Sequence, residues 1–528
     1  MSKTKTSKRC FRVQQENLGD VCAYAKELLD RPDVNDETAK ETVLTFEALM
    51  QKLMDWGLDE NTDLEISGTH RLGEYRIKVA FEGKVFSRDE GTAFSIEDRI
   101  LDAHDDKLDY SYHSGRNEIS ISVRRSSRKV LFACVIASLC AIIAYIPLRS
   151  LLDEQMRLTI LYDYILPIET MYTNAALMVG APMTFFSLLK NLTDTYVVSQ
   201  RSSGIRQLQA RTIATSALAI LLAFVSFLIM MLFLFIHQDY SVALGSPSDW
   251  SFAEIVRSLI PPSIFEPFES ILPVPLIVVA LLVTYAMCSA GKYFNSLRYA
   301  MMTCYTLFSR MLHVVIAVLP LFCFVAVMDA LVDSGFTGIF TLFFFLAVIY
   351  LGSLLLLLSY AIRLRAHGVK VIPFFRKLVP LLRENFRIGS VIDAAPYNIR
   401  YCTRVFKMSR EMLERNIPVI AEINLDGNCF ILMLFTLVFF FITSTTLPWL
   451  SIIVLALLIL FLSLGAPNQP GSILIGVMII LMYMNSSEML CAAIFAEAFL
   501  GSAQNLINVL GDMVMVAIED SKERRSLE

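Results

Sequence analysis

From about Val130 onward the chain is a succession of apolar runs long enough to cross a lipid bilayer, which leaves it few folds to choose from. The runs fall at roughly 130–149, 161–189, 212–237, 271–290, 311–333, 335–363, 417–441 and 447–466, then 472–484 and 489–518. Of 528 residues, 55% are hydrophobic and only 18% charged, a balance that an ordinary soluble protein does not show. Several runs are too long, or too broken by Pro, Gly and polar residues, to be plain spans.

The net charge of −4 carries no nucleic-acid footprint. Local charge is more informative. Arg124, Arg125, Arg128 and Lys129 precede the first run, and Lys522, Arg524 and Arg525 follow the last. The positive-inside rule therefore puts both termini in the cytoplasm and requires an even number of crossings. The first 20 residues lack an apolar core, so the first span is expected to act as signal anchor, in a plasma (inner) membrane. Ten cysteines are scattered without CxxC spacing or histidine pairing and read as apolar fillers. No nucleophile and base pair, metal cluster or phosphate loop stands out, so neither enzyme activity nor an organic cofactor is expected.

Residues 11–125 have soluble composition and the pattern of a small α+β unit. The stretch "DETAKETVLTFEALMQKLMDWG" places Val43, Phe46, Leu49, Met50 and Leu53 near one helix face. Alternating segments at 75–83 and 117–125 read as strands. The order, closing on "GRNEISISVR", resembles the histidine-kinase-like ATPase fold of small anti-sigma-type regulators. That family's magnesium-binding Asn is replaced here by Gln51, four residues after Glu47, and its glycine signatures are absent, so a degenerate regulatory module is implied.

Ionisable groups at membrane depth are costly and normally face a cavity, a partner or an ion. In "EINLDGNCF" the polar residues Asn424, Asp426 and Asn428 alternate, and a continuous helix would splay them over about 200°. They converge only if the helix is interrupted, with Gly427 as a suitable place; the alternative is a polar cap at the membrane surface. In the last run, "NLINVLGDM" sets Asn508 and Asp512 four apart on one face. Carboxylate and amide oxygens on two spans suit a small hard cation such as Na⁺ and offer nothing to soft metals. Two further stretches, 382–396 and "SLGAPNQPGSILIG" at 463–476, break the apolar pattern and read as re-entrant hairpins or external loops.

In order, these features resemble the dicarboxylate/amino acid:cation symporter family, the glutamate transporter fold. Its seventh-span motif Asn-Met-Asp-Gly-Thr is similar to Asn424-Leu425-Asp426-Gly427-Asn428, and its eighth-span motif Asn-Val-Thr-Gly-Asp to Asn508-Val509-Leu510-Gly511-Asp512. The tip of its second hairpin, Val-Pro-Gly-Ala-Gly, is similar to Gln469-Pro470-Gly471-Ser472-Ile473, and "IPPSIFEPF" with "LPVPLIVVALLVTYAM", and "VVIAVLPLFCFVAVMDALVDSG", resemble its fourth and fifth spans. The resemblance implies an all-α polytopic membrane fold of eight transmembrane helices plus two re-entrant hairpins. The third, sixth, seventh and eighth spans and both hairpins would form a mobile unit within a trimeric scaffold. It divides the chain into a small α+β cytoplasmic N-terminal domain (1–128), a transport domain (129–518) and a cytoplasmic tail (519–528).

The resemblance also implies sodium ligands at Asn424, Asp426, Asn508 and Asp512, with Thr215 and Ser216 of the third span as a further pair. Substrate contacts would fall on Ser390, Asn428, Gln469, Pro470, Gly471, Gly501, Gln504 and Asn505, with Arg387 in reach of an anion. The departures are specific. Gln504 stands where the family's carboxylate-pairing arginine falls, Gly501 where its amino-binding aspartate falls, and Asn428 replaces the seventh-span threonine. Losing a bidentate arginine removes the strongest carboxylate recognition such a site can have. Glu497 has no role in this alignment. The expectation is a cation-coupled (Na⁺ or H⁺) symporter of a small organic solute such as a dicarboxylate or amino acid, other than glutamate or aspartate. The alternative is a transporter-derived sensor signalling through the N-terminal domain.

Overall fold

A computed structural model of the chain describes residues 8–12, 17–29, 36–56, 62–71, 74–84, 86, 101, 108–113, 115–123, 127–199, 203–234, 259–269, 273–392, 394–442, 449–467, 469–483 and 490–527. The chain divides into two compact units, Met1–Ser126 and Ser127–Glu528.

In the first unit five antiparallel strands pair in the order β1-β2-β3-β5-β4. They are β1 Lys8–Arg12, β2 Asp63–Arg71, β3 Glu74–Glu82, β4 Leu108–His113 and β5 Arg116–Val123. Alternation sets the register: Ile66 lies opposite Val79, Val79 opposite Ile119, and Ile77 opposite Ile121. That row of β-branched residues packs against Phe46, Leu49, Met50 and Leu53 of the helix Asp36–Asp55, all buried as their spacing predicts. A second helix, Leu18–Leu29, and strands β1, β2 and β4 go beyond the sequence reading. On the surface the Lys8 ammonium, joined by the Arg116 guanidinium, holds the Glu65 carboxyl below its ordinary range.

The second unit is helical. Among the described residues seven helices are long and apolar enough to cross a membrane, including Val130–Leu151, Gly204–Leu232, Phe336–Ala366 and Cys491–Arg525. The run expected at 271–290 forms the shorter apolar helix Pro273–Cys288. The run at 311–333 is not one helix but two, Phe294–Ala317 and Leu319–Ser334. They meet at Val318 because Pro320 lacks an N–H and its ring crowds the preceding turn. Burial ranks the helices: 22% of the apolar window in Val130–Leu151 is buried against 94% in Arg410–Ile442, which puts the latter at the centre. That central helix breaks into Arg410–Ile423 and Asp426–Ile442.

Two helical hairpins stand where the apolar pattern fails. In the first, Val371–Ile388 turns at Gly389 (φ 76°) and Ser390 and returns through Ala395–Tyr401. Asn385 and Asn398 clamp its arms by exchanging amide hydrogen bonds of 2.7 and 3.2 Å. In the second, Trp449–Leu464 and Ser472–Tyr483 are joined through Gly471 (φ 106°). Asn191 Nδ2 donates to the Leu464 carbonyl at 2.7 Å and Ser187 Oγ to that of Ala466 at 3.3 Å, capping the first arm.

Phe46 is fully buried at the centre of the first unit. Phe46→Ala is expected to remove about 3–5 kcal/mol from that unit. The loss is read as faster amide exchange across β2, β3 and β5 in the full-length protein, and unchanged protection would contradict this assignment of the core.

Candidate functional site

The break in the central helix is where the polar residues meet. Asn424 takes an extended conformation (φ −80°, ψ 102°) and the helix resumes at Asp426. The interruption thus falls at Asn424 and Leu425, ahead of the expected Gly427, which lies in the first turn of the second half. The glycine serves close approach instead. A Cβ there would lie 2.5 Å from the Gln504 carbonyl oxygen and 2.9 Å from Asn508 Oδ1. With that space free, the Gly427 N–H donates to Asn508 Oδ1 at 2.7 Å, occupying a backbone donor that the restarted helix leaves over.

All six expected cation residues lie in one buried cluster, none more than 8% exposed. Thr215 Oγ1 donates to Asn424 Oδ1 at 3.2 Å and Ser216 Oγ to Asp426 Oδ1 at 3.1 Å. Asn424 Nδ2 donates to Asp512 Oδ1 at 2.9 Å. A seventh member was not anticipated: the Tyr360 hydroxyl, on Phe336–Ala366, donates to Asp426 Oδ2 at 2.9 Å. A lone tyrosine in "LLLLLSYAIRLRA" reads as apolar filling, and only the packing of that helix gives it a partner. Arg363, one turn on, attracts the Asp426 carboxylate from a distance, its own Nη2 lying 3.0 Å from Met515 Sδ. Gly511 leaves the room: a Cβ on it would meet Asn424 Nδ2 at 2.7 Å, Asp426 Oδ2 at 2.9 Å and the Tyr360 hydroxyl at 3.0 Å.

One or two turns back along the last helix, Leu490–Leu527, both hairpin tips are tied down. Asn505 Nδ2 donates to the Gly389 carbonyl at 2.8 Å, and Ser472 Oγ donates to Gln504 Oε1 at 3.0 Å. Ser309 Oγ reaches Gln469 Oε1 at 2.8 Å, while Pro470 is half-buried at the same tip. Glu497 now has a role. Its carboxylate accepts from the Gly471 N–H at 2.8 Å and the Leu474 N–H at 3.0 Å, at the positive end of the helix Ser472–Tyr483. Gly501 accommodates it, since a Cβ there would lie 2.5 Å from Glu497 Oε1. Ser390 is half-buried at the first tip. The side chain of Arg387 lies outside the described residues.

Among the described residues several polar atoms in this region have no partner. Asn428 is fully buried with both Oδ1 and Nδ2 unpaired, and Gln469 Nε2, Asn505 Oδ1 and Asn508 Nδ2 are likewise orphaned. Each such group costs about 1–3 kcal/mol unless something satisfies it. Four residues read from sequence as binding residues therefore carry unused donors and acceptors.

A further charge network lies just before the break. Glu422 pairs with Lys190, which also holds Asp194 at 3.3 Å, and Asp194 accepts from Arg298 Nε at 2.9 Å. It links Leu166–Ser199, Phe294–Ala317 and Arg410–Ile423, and nothing in the spacing of these residues announces it.

Compared with known proteins, residues 127–521 match the family described as "Sodium:dicarboxylate symporter family". No curated protein matches the chain.

Because the Gln504 carbonyl cannot move out of its helix, Gly427→Ala is expected to push the central and last helices apart and to cost about 1–3 kcal/mol. Thermal unfolding in detergent checks this, and a wild-type midpoint would contradict the close approach.

Proposed function

The chain belongs to the sodium:dicarboxylate symporter family, and from that premise we propose that it couples inward movement of Na⁺ to uptake of a small polar organic solute other than glutamate or aspartate. Members of the family are cation-coupled symporters of dicarboxylates or amino acids, not enzymes, and the protein is a multi-pass membrane protein.

The observation that carries the finer reading is the set of unpaired amide atoms on Asn428, Gln469, Asn505 and Asn508 beside a cluster of two buried carboxylates. The donor set around the carboxylates is all oxygen: Asp426, Asp512, Asn424, Asn508, Thr215 and Ser216 supply carboxylate, amide and hydroxyl groups, which fits a hard monovalent cation. Sodium there offsets charge that is otherwise expensive at membrane depth. Amides present both donors and acceptors without net charge, so the solute pocket between Ser390, Asn428, Gln469, Pro470, Gly471, Gly501, Gln504 and Asn505 favours a neutral or hydroxylated ligand. With Gln504 in place of an arginine, a second carboxylate on the solute has no bidentate partner.

Coupling follows from shared residues. Asn508 belongs to the cation cluster and to the orphan set, and one turn separates it from Asn505 and Gln504, which hold the hairpin tips. Sodium orders the break, the break aims Asn428 at the solute, and the solute lets the second hairpin close around Gly471. In the same reading both hairpins are re-entrant, the transporter is a trimer in the plasma membrane, both termini are cytoplasmic, and residues 1–128 form a regulatory module.

Reconstituted protein is expected to accumulate a small hydroxylated or neutral solute only under an inward Na⁺ gradient, with Asn428→Ala lowering uptake by roughly tenfold or more. Uptake that is indifferent to the gradient, or that carries glutamate equally well, would contradict this reading.

A further inference from the structure

Away from that cluster, three chemistry-bearing side chains from distant parts of the chain meet in the interior. They are Glu169 on Leu166–Ser199, Asp329 on Leu319–Ser334, and Cys491 in the first turn of the last helix. One ligand atom from each lies within 4.8 Å of the other two. The residues are 5%, 9% and 9% exposed. The Asp329 carboxyl acts on Glu169, and Asp333 acts on Asp329, so the two carboxyls stand among like charges. Glu169 Oε2 is buried and has no hydrogen-bond partner.

Two carboxyls and a thiol crowded together persist in a low-dielectric interior only if protons or a cation neutralise them. The Cys491 thiol hydrogen-bonds to Asp329, while the buried Glu169 Oε2 is left without a hydrogen bond and so open to a further partner. A metal ion fixes the spacing of its ligands: bonds of about 2.0–2.3 Å in a tetrahedron set the ligand atoms about 3.3–3.8 Å from one another. Ligand atoms all within 4.8 Å of one another are compatible with that spacing.

We propose that Glu169, Asp329 and Cys491 form a binding site for a borderline-soft divalent cation, with Zn²⁺ the best match. The thiolate disfavours Na⁺, Mg²⁺ and Ca²⁺, the two carboxylates disfavour Cu⁺, and a water completes four-coordination. Binding displaces the thiol proton and any carboxyl proton to solvent, so affinity falls as the pH is lowered. The ion cross-links three helices that meet at the start of the last one. The ligands are so far apart in sequence that no spacing motif announces them.

The test uses the full-length protein in detergent, stripped by chelator, with exposed Cys10 and Cys140 changed to serine to remove surface thiols. Zn²⁺ binding is measured by equilibrium dialysis for this background and for added Cys491→Ser and Glu169→Gln. The expected result is one Zn²⁺ per chain, with each variant weakening binding by roughly tenfold or more. Co²⁺ should give a thiolate-to-metal charge-transfer band that Cys491→Ser abolishes. Zn²⁺ binding that is absent, or equal in all three proteins, overturns the site. So does the lack of a thiolate band in that background, in which all three ligands are intact.

Discussion

Two carboxylates buried to 1% exposure inside an apolar helical unit are the constraint on which the site depends. Asp426 and Asp512 sit on different helices, and the chain surrounds them with whatever hydrogen bonds it can bring: hydroxyls from Ser216 and Tyr360, an amide from Asn424. Interrupting the central helix is what makes this possible. It frees backbone groups at the break and turns Asn424 and Asp426 toward the last helix rather than leaving them spread around a cylinder.

The last helix then acts as a spine. Glu497, Gly501, Asn505, Asn508 and Asp512 recur at intervals of three and four and so form one stripe. Along that stripe the second hairpin tip, the first hairpin tip, the restarted helix and the carboxylate cluster are held in succession. Glycines at 427, 501 and 511 occur where the spine or its partner must come closer than a Cβ allows. Glu497 shows how polar groups are tolerated at depth: its charge lies against the N–H groups at the start of a helix, where the backbone dipole favours it.

Much of this was legible in the residues. Apolar run lengths placed most helices, the alternation of polar residues in "INLDGN" pointed to a break, with a polar cap as the alternative, and the four-residue spacing of Asn508 and Asp512 put them on one face. Tyr360, the Lys190 network and the capping role of Glu497 were not legible, because each depends on a partner in another helix that no local pattern names. The break itself was read a few residues late. Glycine at 427 suggested flexibility, whereas its missing side chain serves contact with the Gln504 carbonyl. In the first unit, Phe46 and its neighbours followed from periodicity, while β1 and β4 are short strands that carry little pattern of their own.

The central claim is that the cluster at the helix break holds sodium. Thermal stability of the purified protein, titrated with Na⁺ against K⁺ or choline at constant ionic strength, tests it most directly for the wild type and for Asp512→Ala. A ligand bound only by the folded state raises apparent stability by mass action. The account predicts a rise specific to Na⁺ that disappears in Asp512→Ala. An equal rise with every cation, or one that survives the substitution, would contradict it.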